Sequence, residues 1–103
     1  MFEVAGKEYE LKFSTPRVKL VEKQLDGESA THALLSNDCM MSLTAVEAFY
    51  RYGLKEAGAD AYVTPNKAVE ICNEYMEEHG YTAAVTRIQE AMVRDMGFLF
   101  QNG

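Results

Sequence analysis

The stretch from Leu43 to Ala57 constrains this chain more than any other. In helical projection Leu43, Val46, Tyr50, Gly53, Leu54 and Ala57 define one face, and Ala45, Phe49 and Tyr52 widen it past half of the circumference. Only Thr44, Glu47, Ala48, Arg51 and Lys55 occupy the remaining arc. A helix apolar around so much of its girth either runs through the middle of a domain or is partly covered by another chain. Thr44-Ala45-Val46-Glu47 fits a capping box, Ser42 is an equally good cap two residues earlier, and Gly58 marks the expected end, with 58–63 as a loop.

Such a helix needs neighbours, and the flanking sequence supplies them. Tyr9, Leu11 and Phe13 alternate with Glu10 and Lys12, the period of a half-buried strand. With Gly6-Lys7 as a two-residue turn, residues 1–13 form a β-hairpin in which Val4 faces Tyr9 and Phe2 faces Leu11. That register puts all four on one face and leaves Glu3 opposite Glu10 as a like-charge pair. A lone hairpin is marginal in water, so its apolar face must lie on something else.

Ser14-Thr15-Pro16 opens a helix carrying Val18, Val21 and Leu25 on one stripe, and Asp26-Gly27 closes it. A short helix through Ala30, Ala33 and Leu34 is expected before Ser36-Asn37-Asp38. Thr64-Pro65 starts another, with Ala68, Ile71, Cys72, Tyr75 and Met76 on one face and Glu70, Glu74, Glu77 and Glu78 on the other, and Gly80 caps it. From Thr82, the stripe Val85, Ile88, Met92, Met96 and Leu99 runs four turns with Asp95 at its edge and Gly97 interrupting it. Phe98-Leu99-Phe100 then puts three large apolar residues near the chain end, either folded back on the core or free for a partner. The expected fold is mainly α (α+β): four to five helices over 15–100 with the N-terminal hairpin packed on them, one domain of 103 residues.

Ten Lys and Arg against sixteen Asp and Glu give a net charge of −6. Residues 1–27 are balanced, and 28–63 and 64–103 each carry three more acids than bases, so no basic stripe is available for phosphates. No apolar run approaches the ~20 residues of a membrane span. Met1–Glu8 lacks a basic region followed by an apolar stretch, so a cytoplasmic location is expected.

No nucleophile elbow, phosphate loop or paired-cysteine zinc spacing is present, so no enzymatic activity and no cofactor is expected. Cys39 and Cys72 read as small buried apolar residues, with a redox or metal role the sharper alternative. His32 precedes Cys39 by seven and Cys72 precedes His79 by seven. On a helix that spacing is about 10.5 Å, too far for Cys72 and His79 to ligate one zinc ion jointly, while a loop would let His32 and Cys39 come closer. Met40, Met41, Met76, Met92 and Met96 suit either a helical core or an adaptable surface for another protein.

The order of elements, the opening Gly6-Lys7-Glu8-Tyr9-Glu10-Leu11-Lys12-Phe13 and the central Ala48-Phe49-Tyr50-Arg51-Tyr52-Gly53-Leu54 resemble the tail assembly chaperones of long-tailed, siphovirus-like bacteriophages and prophages. The resemblance covers most of residues 6–100. It implies a non-enzymatic protein of the host cytoplasm, absent from the mature virion, that coats the tape measure protein and recruits tail tube protein. It also implies a longer frameshifted form in many phages. On that reading Phe49 and Tyr52, with Met96, Phe98 and Phe100, are the candidate partner-binding residues, for a client helix or another copy of the chain. The alternative is a small acidic inhibitor or regulator working by protein contact or nucleic-acid mimicry through Glu70, Glu74, Glu77 and Glu78, whose binding would weaken steeply with salt.

Overall fold

Residues 1–35 and 40–100 are described by a computed structural model of the chain. Three short strands, β1 (Phe2–Val4), β2 (Lys7–Leu11) and β3 (Leu54–Glu56), form an antiparallel sheet in the order β1-β2-β3. Among the described residues five α-helices complete the fold: α1 (Thr15–Gln24), α2 (Ala30–Leu35), α3 (Leu43–Gly53), α4 (Pro65–His79) and α5 (Tyr81–Asp95). A 3-10 turn over Gly97–Phe100 follows α5. The expected class, helices with an N-terminal sheet packed on them, is what the chain adopts.

The hairpin forms, but its register differs from the expected one. Phe2 faces Tyr9, Glu3 faces Glu8 and Val4 faces Lys7. The turn is Ala5-Gly6, both with positive φ (51° and 83°), rather than Gly6-Lys7. Positive φ at both central residues is the primed turn that matches strand twist. The slip is two residues, so every side chain keeps its face: Phe2, Val4, Tyr9 and Leu11 are all buried. On its other edge β2 pairs with β3, a strand that was not expected: Leu11 faces Leu54, and Glu10 faces Lys55 as an opposite-charge pair. Lys7 Nζ lies 3.5 Å from Glu56 Oε1 across the sheet. β2 ends at Leu11, so Phe13 belongs to the linker and not to the strand.

Helix α3 ends at Gly53, four residues short of the expected Ala57. Contacts with the segment that follows β2 fix this end. A Cβ on Gly53 would sit 2.4 Å from Phe13 Cε1 and 2.6 Å from Cζ, so the Phe13 ring fills the space a side chain would need. The Gly53 carbonyl accepts from Lys12 N at 2.8 Å, which turns the chain out of the helix and into β3. At the other end, Ser42 is the cap: its hydroxyl accepts from Ala45 N at 3.1 Å. Helix α2 is the short helix expected around Ala30, Ala33 and Leu34; the Ser29 hydroxyl accepts from His32 N, and a Glu22 carboxylate oxygen accepts from Ala30 N at 2.7 Å.

Helix α3 is central. Ala45, Val46, Ala48, Phe49 and Tyr50 are all buried, so Ala48 belongs to the core, whereas Leu43 is 60% exposed and does not. α1 packs on one flank: Arg17 Nε donates to Tyr52 O at 2.7 Å, and the Tyr52 hydroxyl lies 3.5 Å from Gln24 Oε1. α4 and α5 pack on the other, where the Tyr50 hydroxyl donates to Ala84 O at 3.0 Å. Tyr50 and Tyr52 are two residues apart, about 200° around the helix, which fits their opposite partners. The sheet closes the core through Phe2, whose ring stands 4.9 Å from that of Tyr75 and 6.2 Å from that of Tyr50. Among the described residues no helix is long and apolar enough to cross a membrane.

Candidate partner-binding site

Of the five residues singled out from the sequence, two are core. Phe49 is completely buried, its ring edge-on to Phe13 at 5.9 Å, and Met96 is buried where α5 ends. Neither can meet a partner without unpacking the domain. Tyr52 is half-buried on the α1 side of α3 and lines an open cleft of about 400 Å³ with Leu20, Lys23, Gln24 and Asp26. Phe98 is 59% exposed, while Leu99 and Phe100 are half-buried against the core. Of the two alternatives for the terminal segment, Leu99 and Phe100 take the first and fold back on the core, while Phe98 is left exposed. The five do not form one surface, because α3 separates the α1 flank from α5.

Besides Met1, Leu20 and Leu35, the exposed large apolar side chains among the described residues gather near two ends of the molecule. α3 and α5 are tied start to start and finish to finish. At their starts the Tyr81 hydroxyl donates to Met41 O. At their finishes, adjacent linker residues tie both helices: Lys12 N donates to Gly53 O, and Phe13 N to Asp95 Oδ2 at 2.9 Å. Met40 and Leu43, both exposed, are thus near the starting ends, and Val93 and Phe98, also exposed, near the finishing ends. Eleven residues of helix at 1.5 Å each put the two groups at least about 15 Å apart.

Sequence reasoning missed the first group. Leu43 shares the angular position of Tyr50, but it lies in the first turn of α3 and is left uncovered. The available signal was the Met40-Met41 pair: Met41 is buried and Met40 is not, so the pair straddles the boundary of the core.

The finishing end is fastened by charge. Asp95 accepts from the Phe13 amide, Arg94 donates to both carboxylate oxygens of Asp95, and Arg94 also reaches Leu11 O. Burial on its own would raise the Asp95 carboxyl. The hydrogen bonds from Arg94 and the Phe13 amide, with the positive charges of Arg94 and Lys12, outweigh it and hold the group below its ordinary value. The acid that interrupts the apolar stripe of α5 is therefore the cap for the first free amide beyond the sheet.

Cys72 is a buried free thiol, pushed up to about 12 by burial and then by the Glu47 carboxylate. Cys39 lies outside the described residues, and with it the His32/Cys39 pairing. Among the described residues no group of three or more His, Cys, Asp or Glu is placed to hold a metal ion. No protein-family model, curated protein or solved structure matches the chain.

Proposed function

We propose that the chain is a non-enzymatic tail assembly chaperone of a long-tailed phage or prophage, acting in the host cytoplasm to keep the tape measure protein soluble until tail tube protein polymerises around it. The strand and central-helix residues that resemble that family support the reading. So does the chemistry of the surface. A protein that coats a long apolar client needs uncovered apolar contacts on a body charged enough to stay in solution, and net charge −6 supplies the second requirement.

The observation that carries the reading is the pair of apolar ends, Met40 and Leu43 at one and Val93 and Phe98 at the other. Met40 can adapt to varied apolar partners and Phe98 offers a large apolar ring, which suits a client whose length exceeds any single binding site. Client contact is accordingly assigned to Phe98, with Phe100 and Tyr52 at the margins, and is withdrawn from Phe49 and Met96.

The test is a pull-down of the tape measure protein by the wild-type chain, by Phe98→Ser and by Leu43→Ser, with each variant's fold checked by circular dichroism. Both variants are expected to retain the fold and to capture less client. Undiminished capture by both would discard these ends as the client site.

A further inference from the structure

Among the described glycines, Gly97 is the one the fold does not require. Gly6, Gly27, Gly58 and Gly80 hold φ between 80° and 95°, where L side chains are strained, and Gly53 lies against the Phe13 ring. Gly97 has neither reason: its φ lies outside the left-handed region, and a Cβ placed on it would have nothing within 4 Å. Alanine would fit there and would hold the observed backbone more firmly, because it has fewer alternatives to lose. The freedom of Gly97 is therefore unused in this conformation and is available to another.

The residues on either side of Gly97 are held very differently. Before it, α5 is anchored: Asp95 accepts from Phe13 N at 2.9 Å and from Arg94, and Met96 is buried. After it come Phe98, Leu99 and Phe100, whose side chains carry no polar group to fasten them. Leu99 and Phe100 are half-buried against the core, and Phe98 is exposed. The Leu99 amide donates to Met96 O at 3.0 Å, spanning the glycine. A fixed helix end, a free pivot and an apolar segment only half-buried are the parts of a strap.

We infer that residues 97–100 form a hinged strap, closed on the core in the free chain, which opens about Gly97 to present Phe98, Leu99 and Phe100 together to an apolar segment of a partner. The closed form displays one large ring, and the open form three large apolar side chains in a row. Opening strips Leu99 and Phe100 of their core contacts, so the open form is a minority, on the order of 1%. A partner that binds only the open form meets an apparent Kd raised by the inverse of that fraction, so the closed strap discourages chance apolar contacts. The identity of the partner, the tape measure protein, rests on the chaperone reading; the hinge itself does not.

The experiment has two arms. In the first, hydrogen exchange of the Leu99 and Met92 amides is followed by NMR in purified wild type, Gly97→Ala and Phe100→Ser, with circular dichroism checking each fold. Neither change touches residues 98 and 99, which set the intrinsic exchange rate of the Leu99 amide. In wild type Leu99 is expected to exchange at least ~10-fold faster than Met92, which is buried in α5, because the strap opens without the fold. Gly97→Ala is expected to slow Leu99 about 2–5-fold, the factor that alanine brings at a compatible glycine. Phe100→Ser is expected to speed it about 5-fold, because it removes half-buried apolar surface from the closed form. A Leu99 amide as slow as Met92, or one indifferent to either substitution, overturns the strap.

In the second arm, tape measure protein is titrated in a pull-down against wild type and Gly97→Ala, which share Phe98, Leu99 and Phe100. Gly97→Ala is expected to bind about 2–5-fold more weakly, because its open fraction is smaller by that factor. Equal or tighter binding overturns the role of the strap in partner contact. A wild type that captures no tape measure protein removes the chaperone reading and the partner half of the inference with it, and the first arm alone then decides the hinge.

Discussion

Gly53→Ala isolates the close contact between the last residue of the central helix and Phe13. Elsewhere in a helix, replacing glycine by alanine stabilises by about 0.8–1 kcal/mol through backbone propensity. At Gly53 the new Cβ would come 2.4 Å from Phe13 Cε1 and 2.6 Å from Cζ, well inside van der Waals contact. The Phe13 ring is itself buried and held edge-on by Phe49 at 5.9 Å, so it has little room to retreat. Overpacking of this kind costs about 1–3 kcal/mol, which exceeds the propensity gain across most of its range. The net expectation is a loss of roughly 1 kcal/mol, a fall of about 4–8 °C in the melting midpoint for a domain of this size. Urea and thermal unfolding measure it. Phe13→Leu supplies the control: with the ring removed, alanine at 53 should become neutral or stabilising, giving a coupling energy of about 1 kcal/mol or more in the double-mutant cycle. A Gly53→Ala protein as stable as wild type, or the same effect in both backgrounds, would refute the steric account.

Ala5→Asn should stabilise the fold by about 0.5–1 kcal/mol, because Ala5 holds a φ of 51° that asparagine tolerates better; a lowered urea midpoint would count against the Ala5-Gly6 turn. Asp95→Asn should cost about 1–2 kcal/mol at pH 7, since it removes the charged partner of Arg94 and weakens the acceptor for Phe13 N. The Asp95 carboxyl is depressed in the folded protein, so its contribution is complete above the unfolded carboxylate value and is lost as pH falls through the folded one. The gap between wild type and Asp95→Asn, followed by urea titration, should therefore close below about pH 4. Cys72, raised to about 12, behaves oppositely: its neutral thiol favours the fold up to about pH 9, and that advantage declines as pH rises toward 12. In a Cys39→Ser background, Cys72 should react with a thiol reagent at pH 8 only as fast as the protein opens, and rapid labelling of the native protein would contradict its burial.

The features written in local periodicity were legible from the amino-acid order. Alternation placed Phe2, Val4, Tyr9 and Leu11 on one face even with the wrong turn, because a slip of two residues preserves the face. The Thr-Pro start of α4 and its glycine end were likewise local signals. What escaped was non-local. Leu54-Lys55-Glu56 continues the helical pattern of α3, and only its pairing with Tyr9, Glu10 and Leu11, more than forty residues upstream, makes it a strand. The girth of apolar residues on α3 admitted two readings, a central helix or one covered by another chain, and the first describes Phe49. The same ambiguity misdirected the candidate site: a stripe residue such as Met96 and an end residue such as Leu43 look alike until the neighbouring helices are in place. Asp95 was visible as an irregularity in the stripe, but the amide it caps lies eighty-two residues away.

The proposal that this chain shelters a tape measure protein is tested most directly by co-expressing the two, with the wild-type chain present or withheld, and recording how much tape measure protein stays in the supernatant and whether both migrate together on a sizing column. The account predicts a soluble, co-migrating complex that vanishes when the chain is withheld. A tape measure protein that precipitates regardless, or that stays soluble and elutes alone, would contradict it.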